Sequence, residues 1–194
     1  MRGGRQLLEW IVIAFSYGKV DHDRFAFLVA LAVLPTVGRI SWNDESSDEK
    51  AAWAIRCIQI AVVATYFLST FAKFRFGGFD WVNGATLLRA VLRRGTDLAA
   101  PLETAPELLR VAQWGIVVFE LASPLLLTRG RIGRLYLASA FLFHAVTYAT
   151  IRIVFWPHVA CLLAFLPLEK LRPGERVLPV LRERSRWRPS TSRS

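Results

Sequence analysis

Apolar residues run along this chain in six blocks, parted by short joints of charge, glycine and proline. The blocks are residues 6–17, 25–37, 54–71, 108–127, 135–150 and 153–166. Long apolar runs broken by polar joints predict an all-α, multi-pass transmembrane helix bundle of about five to six segments. A full span takes about 20 residues, so the first two blocks and the last are short. Pro35 should kink or end the second helix, and Pro157 falls near the start of the last.

The longest joint, between the third and fourth blocks, has a pattern of its own. Residues 81–94, WVNGATLLRAVLRR, carry Leu87, Leu88, Val91 and Leu92 at helical spacing, with Arg89, Arg93 and Arg94 on the other side. That amphipathic pattern predicts a helix lying in the membrane interface, with Trp81 at headgroup depth.

Composition strengthens the membrane reading. The chain is 54% hydrophobic with seven tryptophans, and its mean hydropathy is +0.35, more apolar than an ordinary soluble domain. A net charge of +10 would suit nucleic acid, but eight of the 25 basic residues follow Leu168 in one tail. That placement reads as cytoplasmic retention beside lipid headgroups, and no folded basic module points to nucleic acid. The expected organisation is therefore a bundle over residues 1–168 and a basic, disordered cytoplasmic tail over 169–194. With both termini cytoplasmic, 16 basic residues fall on the inner side and nine on the outer, which puts Lys73 at the outer face. No signal peptide is expected, because Glu9 interrupts the first apolar block.

Few residues carry chemistry. Lys73 ends an apolar run, where it either snorkels to the interface or sits desolvated enough to act as a base. Glu120 lies inside the fourth block and needs a partner; its depth places it away from Lys73, in a structural role. His144 falls mid-segment, as a satisfied hydrogen-bonder or as part of a site. His22 lies in an outer joint where exposure alone explains it, and His158 near an outer interface. Three such scattered histidines predict no metal site. Cys57 and Cys161 read as small buried hydrophobes. No phosphate-binding loop or serine-hydrolase motif is present.

The motifs themselves resemble a known family. Lys73 followed by Asp80-Trp81-Val82-Asn83-Gly84 is similar to the lysine, spacer and Asp-Trp-X-X-Gly pattern of the HTTM domain. This is the membrane domain of vitamin K-dependent γ-carboxylase and its small bacterial relatives. Gln113-Trp114-Gly115, running through Glu120-Leu121 to the basic turn Arg129–Arg134, resembles a second family stretch. His22 through Trp42-Asn43-Asp44 resembles a third, and the three cover residues 18–168 in the family's order.

The resemblance implies a multi-pass protein of a bacterial-type inner membrane. By it, Lys73 would be a base toward a reduced quinone, His22 and His144 would be further catalytic residues, and Trp81 and Gly84 would border the cofactor. It also implies membrane lipids as partners, with a protein partner or peptide substrate if the chain is a non-catalytic assembly factor rather than an enzyme. The chain departs from the pattern in a longer spacer before Trp81, Ala72 in place of a second lysine, and Gln113 in place of a histidine. It is expected to begin after the family's first helix and to lack a soluble domain, so protein γ-carboxylation itself is not expected.

Overall fold

The computed structural model describes residues 22–38 and 49–167, together with Leu8, Ile11 and Val12. Within residues 22–38 and 49–167 every regular element is helical. The α-helices are α1 (Phe25–Val33), α2 (Glu49–Gly77), α3 (Ala85–Arg94), α4 (Pro106–Leu121), α5 (Arg131–Ile151) and α6 (Trp156–Leu162), linked by short 3-10 turns. The first apolar block, apart from Leu8, Ile11 and Val12, and the basic tail lie outside the described residues.

Five blocks thus become helices, with local chemistry setting their ends. Pro35 brings no backbone N–H to the α-helical ladder, and α1 gives way at Val33 to the 3-10 turn Leu34–Val37. The third block is longer than expected: α2 runs 29 residues, about 43 Å at the usual rise. It is the one helix among the described residues long and apolar enough to cross a membrane. The fourth block is not one continuous span. Helix α4 stops at Leu121, and the chain continues as the 3-10 turn Ser123–Leu127, with Pro124 in its first turn. Pro157 occupies the first turn of α6, where its missing N–H costs no hydrogen bond.

Helices α1, α2, α5 and α6 close on one core. Small residues make it tight: Ala26 and Ala30 of α1, Ala61 of α2 and Ala140 of α5 are buried there beside Val62 and Leu162. Side chains this small let helix backbones approach closely. Cys161 is buried in the same cluster, Cys57 is half-buried, and both are free thiols.

A second cluster gathers Val91, Ala99, Leu109 and Ile151, with Leu87 and Leu88 packed against it. The apolar stripe that predicted an interfacial helix thus packs largely against protein. Three of the four stripe residues of α3 are covered by α4 and α5, and only Leu92 faces out. The reason is the return of the chain through Ala100–Thr104 into α4, which brings Leu109 against α3.

Two helical glycines illustrate how packing separates like residues. A methyl group at Gly133 would collide with the backbone carbonyl of Thr128, whereas one at Gly115 would meet nothing within 4 Å. Gly133→Ala is therefore expected to cost about 1–3 kcal/mol as overpacking. Gly115→Ala should be neutral or stabilising by up to about 1 kcal/mol through helix propensity. Thermal unfolding of the two variants in detergent, followed by circular dichroism, would check the contrast; equal midpoints would contradict the close approach.

Candidate functional site

One face of the C-terminal half of α2 carries a stripe of polar residues. Thr65, Tyr66, Ser69, Thr70 and Lys73 recur at intervals of one, three, one and three residues, which puts them along one side. All but Lys73 are buried. Thr65, Tyr66, Ser69 and Lys73 line a cavity of about 690 Å³ shared with α4 and α5, whose surface is mostly apolar.

The first polar cluster centres on Glu120. Its Oε1 accepts from Lys73 Nζ at 2.5 Å and from Ser69 Oγ at 3.0 Å, and its Oε2 accepts from Thr70 Oγ1 at 2.7 Å. Lys73 Nζ also donates to Ser69 Oγ at 2.6 Å. The side chains of Lys73 and Glu120 are 16% and 5% exposed. This is a buried, charge-assisted network in which the carboxylate is held by three donors.

Placing Glu120 away from Lys73 is therefore corrected. The error came from assuming that α2 and α4 end level with each other. The Gln113 amide donates to the Trp81 carbonyl, and Gly84 backs onto Pro106 and Arg110. The turn after α2 thus lies alongside the first half of α4. Seven further residues, about 10 Å of helix, carry the chain from Gln113 down to Glu120 opposite Ser69.

Trp81 closes this end of the cavity. Its ring centroid lies 5.2 Å from Lys73 Nζ, a cation–π contact. The ring lines the cavity while its carbonyl is tied to α4 by Gln113. Gly84 does not line the cavity. It has φ +95°, and a Cβ there would sit 3.2 Å from the Pro106 carbonyl, so its place is one of backbone conformation and close approach.

The second polar cluster is aromatic. The Tyr66 hydroxyl and His144 Nε2 are 3.1 Å apart. His158 stands edge-on to Tyr66, with ring centroids 4.6 Å apart, and 5.4 Å from the His144 ring. Phe119 packs between Tyr66, Tyr136 and Phe143 and forms the apolar wall beside them.

Of the residues singled out from sequence, Lys73, Trp81, His22 and His144 all line this cavity, which brings four distant positions together. His22 is half-buried at the cavity rather than simply exposed, and His158 is buried rather than interfacial. Sequence reasoning missed Tyr66, Ser69 and Thr70, and it gave His158 no part in a site. The polar stripe on α2 was a signal for the first three; nothing local marked His158. No group of three or more His, Cys, Asp or Glu residues able to hold a metal ion lies among the described residues.

No family model, curated protein or solved structure matches the chain.

Proposed function

We propose that this chain is a multi-pass integral membrane protein whose helix bundle binds a lipid-soluble molecule of the quinol type, with the Lys73–Glu120 pair as a polar end of the site. The observation that carries this reading is that several polar side chains are buried while many large apolar ones are exposed. Gln113, Glu120, Ser123 and His158 are buried, whereas Ile60, Phe67, Phe71, Val111, Val118, Leu135 and Leu142 are each more than half exposed. Water disfavours so much outward apolar surface, while hydrocarbon accepts it and drives polar side chains inward. The length and hydropathy of α2 support a crossing. Outward stripes on α4 and α5 support further crossings that neither helix would earn by length and hydropathy alone.

The cavity supplies the second half of the argument. A volume of about 690 Å³ with an apolar wall suits a drug-sized apolar ligand. Its polar end offers an ammonium held beside a carboxylate. A phenolic oxygen of the ligand entering next to Lys73 Nζ would displace Ser69 as an acceptor, and the ammonium would favour its oxyanion form. Glu120, 2.5 Å away, balances the charge while the site is empty. In this reading Lys73 works as a charged hydrogen-bond donor rather than as a free base. The HTTM resemblance supports the same assignment through Lys73 and Trp81, and the distribution of basic residues suggests an outer-face site in a cell membrane with both termini inside.

The test is binding of 1,4-naphthohydroquinone to the purified, detergent-solubilised protein under anaerobic conditions. Trp81, lying over Lys73, makes intrinsic fluorescence a direct reporter. Saturable quenching is expected in the wild type, weakened tenfold or more in the double variant Lys73→Met/Glu120→Leu, which removes both charges together. A folded wild type that shows no saturable binding, or a double variant that binds equally well, would overturn the reading.

A further inference from the structure

At the aromatic end of the cavity, polar atoms stand unused. His158 is 2% exposed, and neither of its ring nitrogens has a hydrogen-bond partner. His144 engages Tyr66 through Nε2 and leaves Nδ1 buried and unpartnered. Buried polar side-chain atoms are nearly always satisfied, so three unsatisfied nitrogens on two neighbouring rings need a physical reason. Their surroundings offer none within the protein. Tyr66 meets His158 edge-on, and Phe143 and Phe155 flank His144, so the rings are fixed by packing.

Both histidines line the same cavity as Lys73. A neutral imidazole offers one N–H donor and one bare nitrogen acceptor. Two such rings side by side match a group that donates and accepts at once, which is a hydroxyl. A pair of histidines with no third ligand among the described residues does not make a metal site. The mostly apolar wall favours an organic ligand over a chain of waters, which would need polar partners on several sides.

The two polar ends are offset along α2. Lys73 Nζ reaches back to Ser69, and Tyr66 lies three residues earlier, about one helical turn or roughly 5 Å along the axis. We propose that His158, with His144, forms a second hydrogen-bonding subsite that takes a neutral hydroxyl on the ligand, opposite the oxygen that meets Lys73. This inference rests on the reading that the cavity binds a lipid-soluble molecule, and it adds His158 as a binding and selectivity residue. The ligand class it defines is a planar aromatic with two opposed oxygens, of which one stays protonated.

The experiment compares two probes on the full chain in detergent, under anaerobic conditions: 1,4-naphthohydroquinone, with two opposed hydroxyls, and 1-naphthol, with one. Wild-type protein is expected to prefer the diol by about tenfold, the worth of one buried hydrogen bond. His158→Phe, which keeps a ring in the same space, should abolish that preference by weakening the diol and leaving 1-naphthol unchanged. His158→Gln, which retains a donor and an acceptor, should keep part of it. The Tm of ligand-free His158→Phe should not fall, because the change removes unsatisfied buried atoms. Equal weakening of both probes, or an unchanged preference, would overturn the subsite while leaving the cavity reading intact. Binding of neither probe by the wild type would overturn both.

Discussion

Glu120→Ala is expected to destabilise the protein by about 3–5 kcal/mol, because it strands the Lys73 ammonium inside the bundle. It also leaves the hydroxyls of Ser69 and Thr70, both buried, without their acceptor. Lys73→Met should cost less. The carboxylate it strands still accepts from Ser69 and Thr70, and the flexible methionine fills most of the lysine's space. Joining the changes in Lys73→Met/Glu120→Leu should recover much of the loss, since a matched apolar pair often replaces a buried ion pair without penalty. The coupling between the two positions is expected to exceed about 2 kcal/mol. Unfolding of the four proteins by titration with a denaturing detergent, followed by circular dichroism, measures it. Additive single changes would mean that the two side chains do not share one buried network.

Leu162→Ala should be the largest loss from a purely apolar change, about 2–5 kcal/mol. Leu162 is fully buried where α6 meets the main core. Helix α6 is only seven residues long, far below the length at which a helix persists by itself. Its position therefore depends on packing against α1 and α2, and Leu162 is its best-buried anchor. The neighbouring Leu163 is 45% exposed, and Leu163→Ala should cost less than about 1 kcal/mol. Losing the anchor should also loosen His158, which the same short helix holds over Tyr66. Unfolding midpoints of the two alanine variants test the contrast. A Leu163→Ala loss as large as that of Leu162→Ala would mean that burial does not decide this helix's stability.

Helix positions were largely legible because the signals are local. Each described apolar block became a helix, and Pro35, Pro124 and Pro157 stand where continuous α-helix gives way or begins. Lys73 announced itself because an ionisable group in an apolar run needs a reason wherever the chain folds. Glu120 announced itself equally, yet its partner could not be named. Pairing it with Lys73 depends on how far α4 overlaps the end of α2, and that offset is set by how the connection between them, α3 included, folds. The joint around α3 was legible only in part for a related reason. An amphipathic stripe shows that one face will be covered, without showing whether lipid or protein covers it.

Composition and spacing by themselves were enough to establish helical structure throughout the described residues, where most of the helices lie, and that Lys73, Trp81 and His144 were worth watching. Those properties follow from hydrophobic periodicity, proline chemistry and the cost of isolated charge, all of which act within a few residues. The closed ion pair, the burial of His158 and the cavity they share arose only when α2, α4, α5 and α6 were brought together. They join different helices, as the pairing of Lys73 with Glu120 across 47 residues illustrates. The relative depth of packed helices determines such contacts, and no stretch of a single helix encodes it.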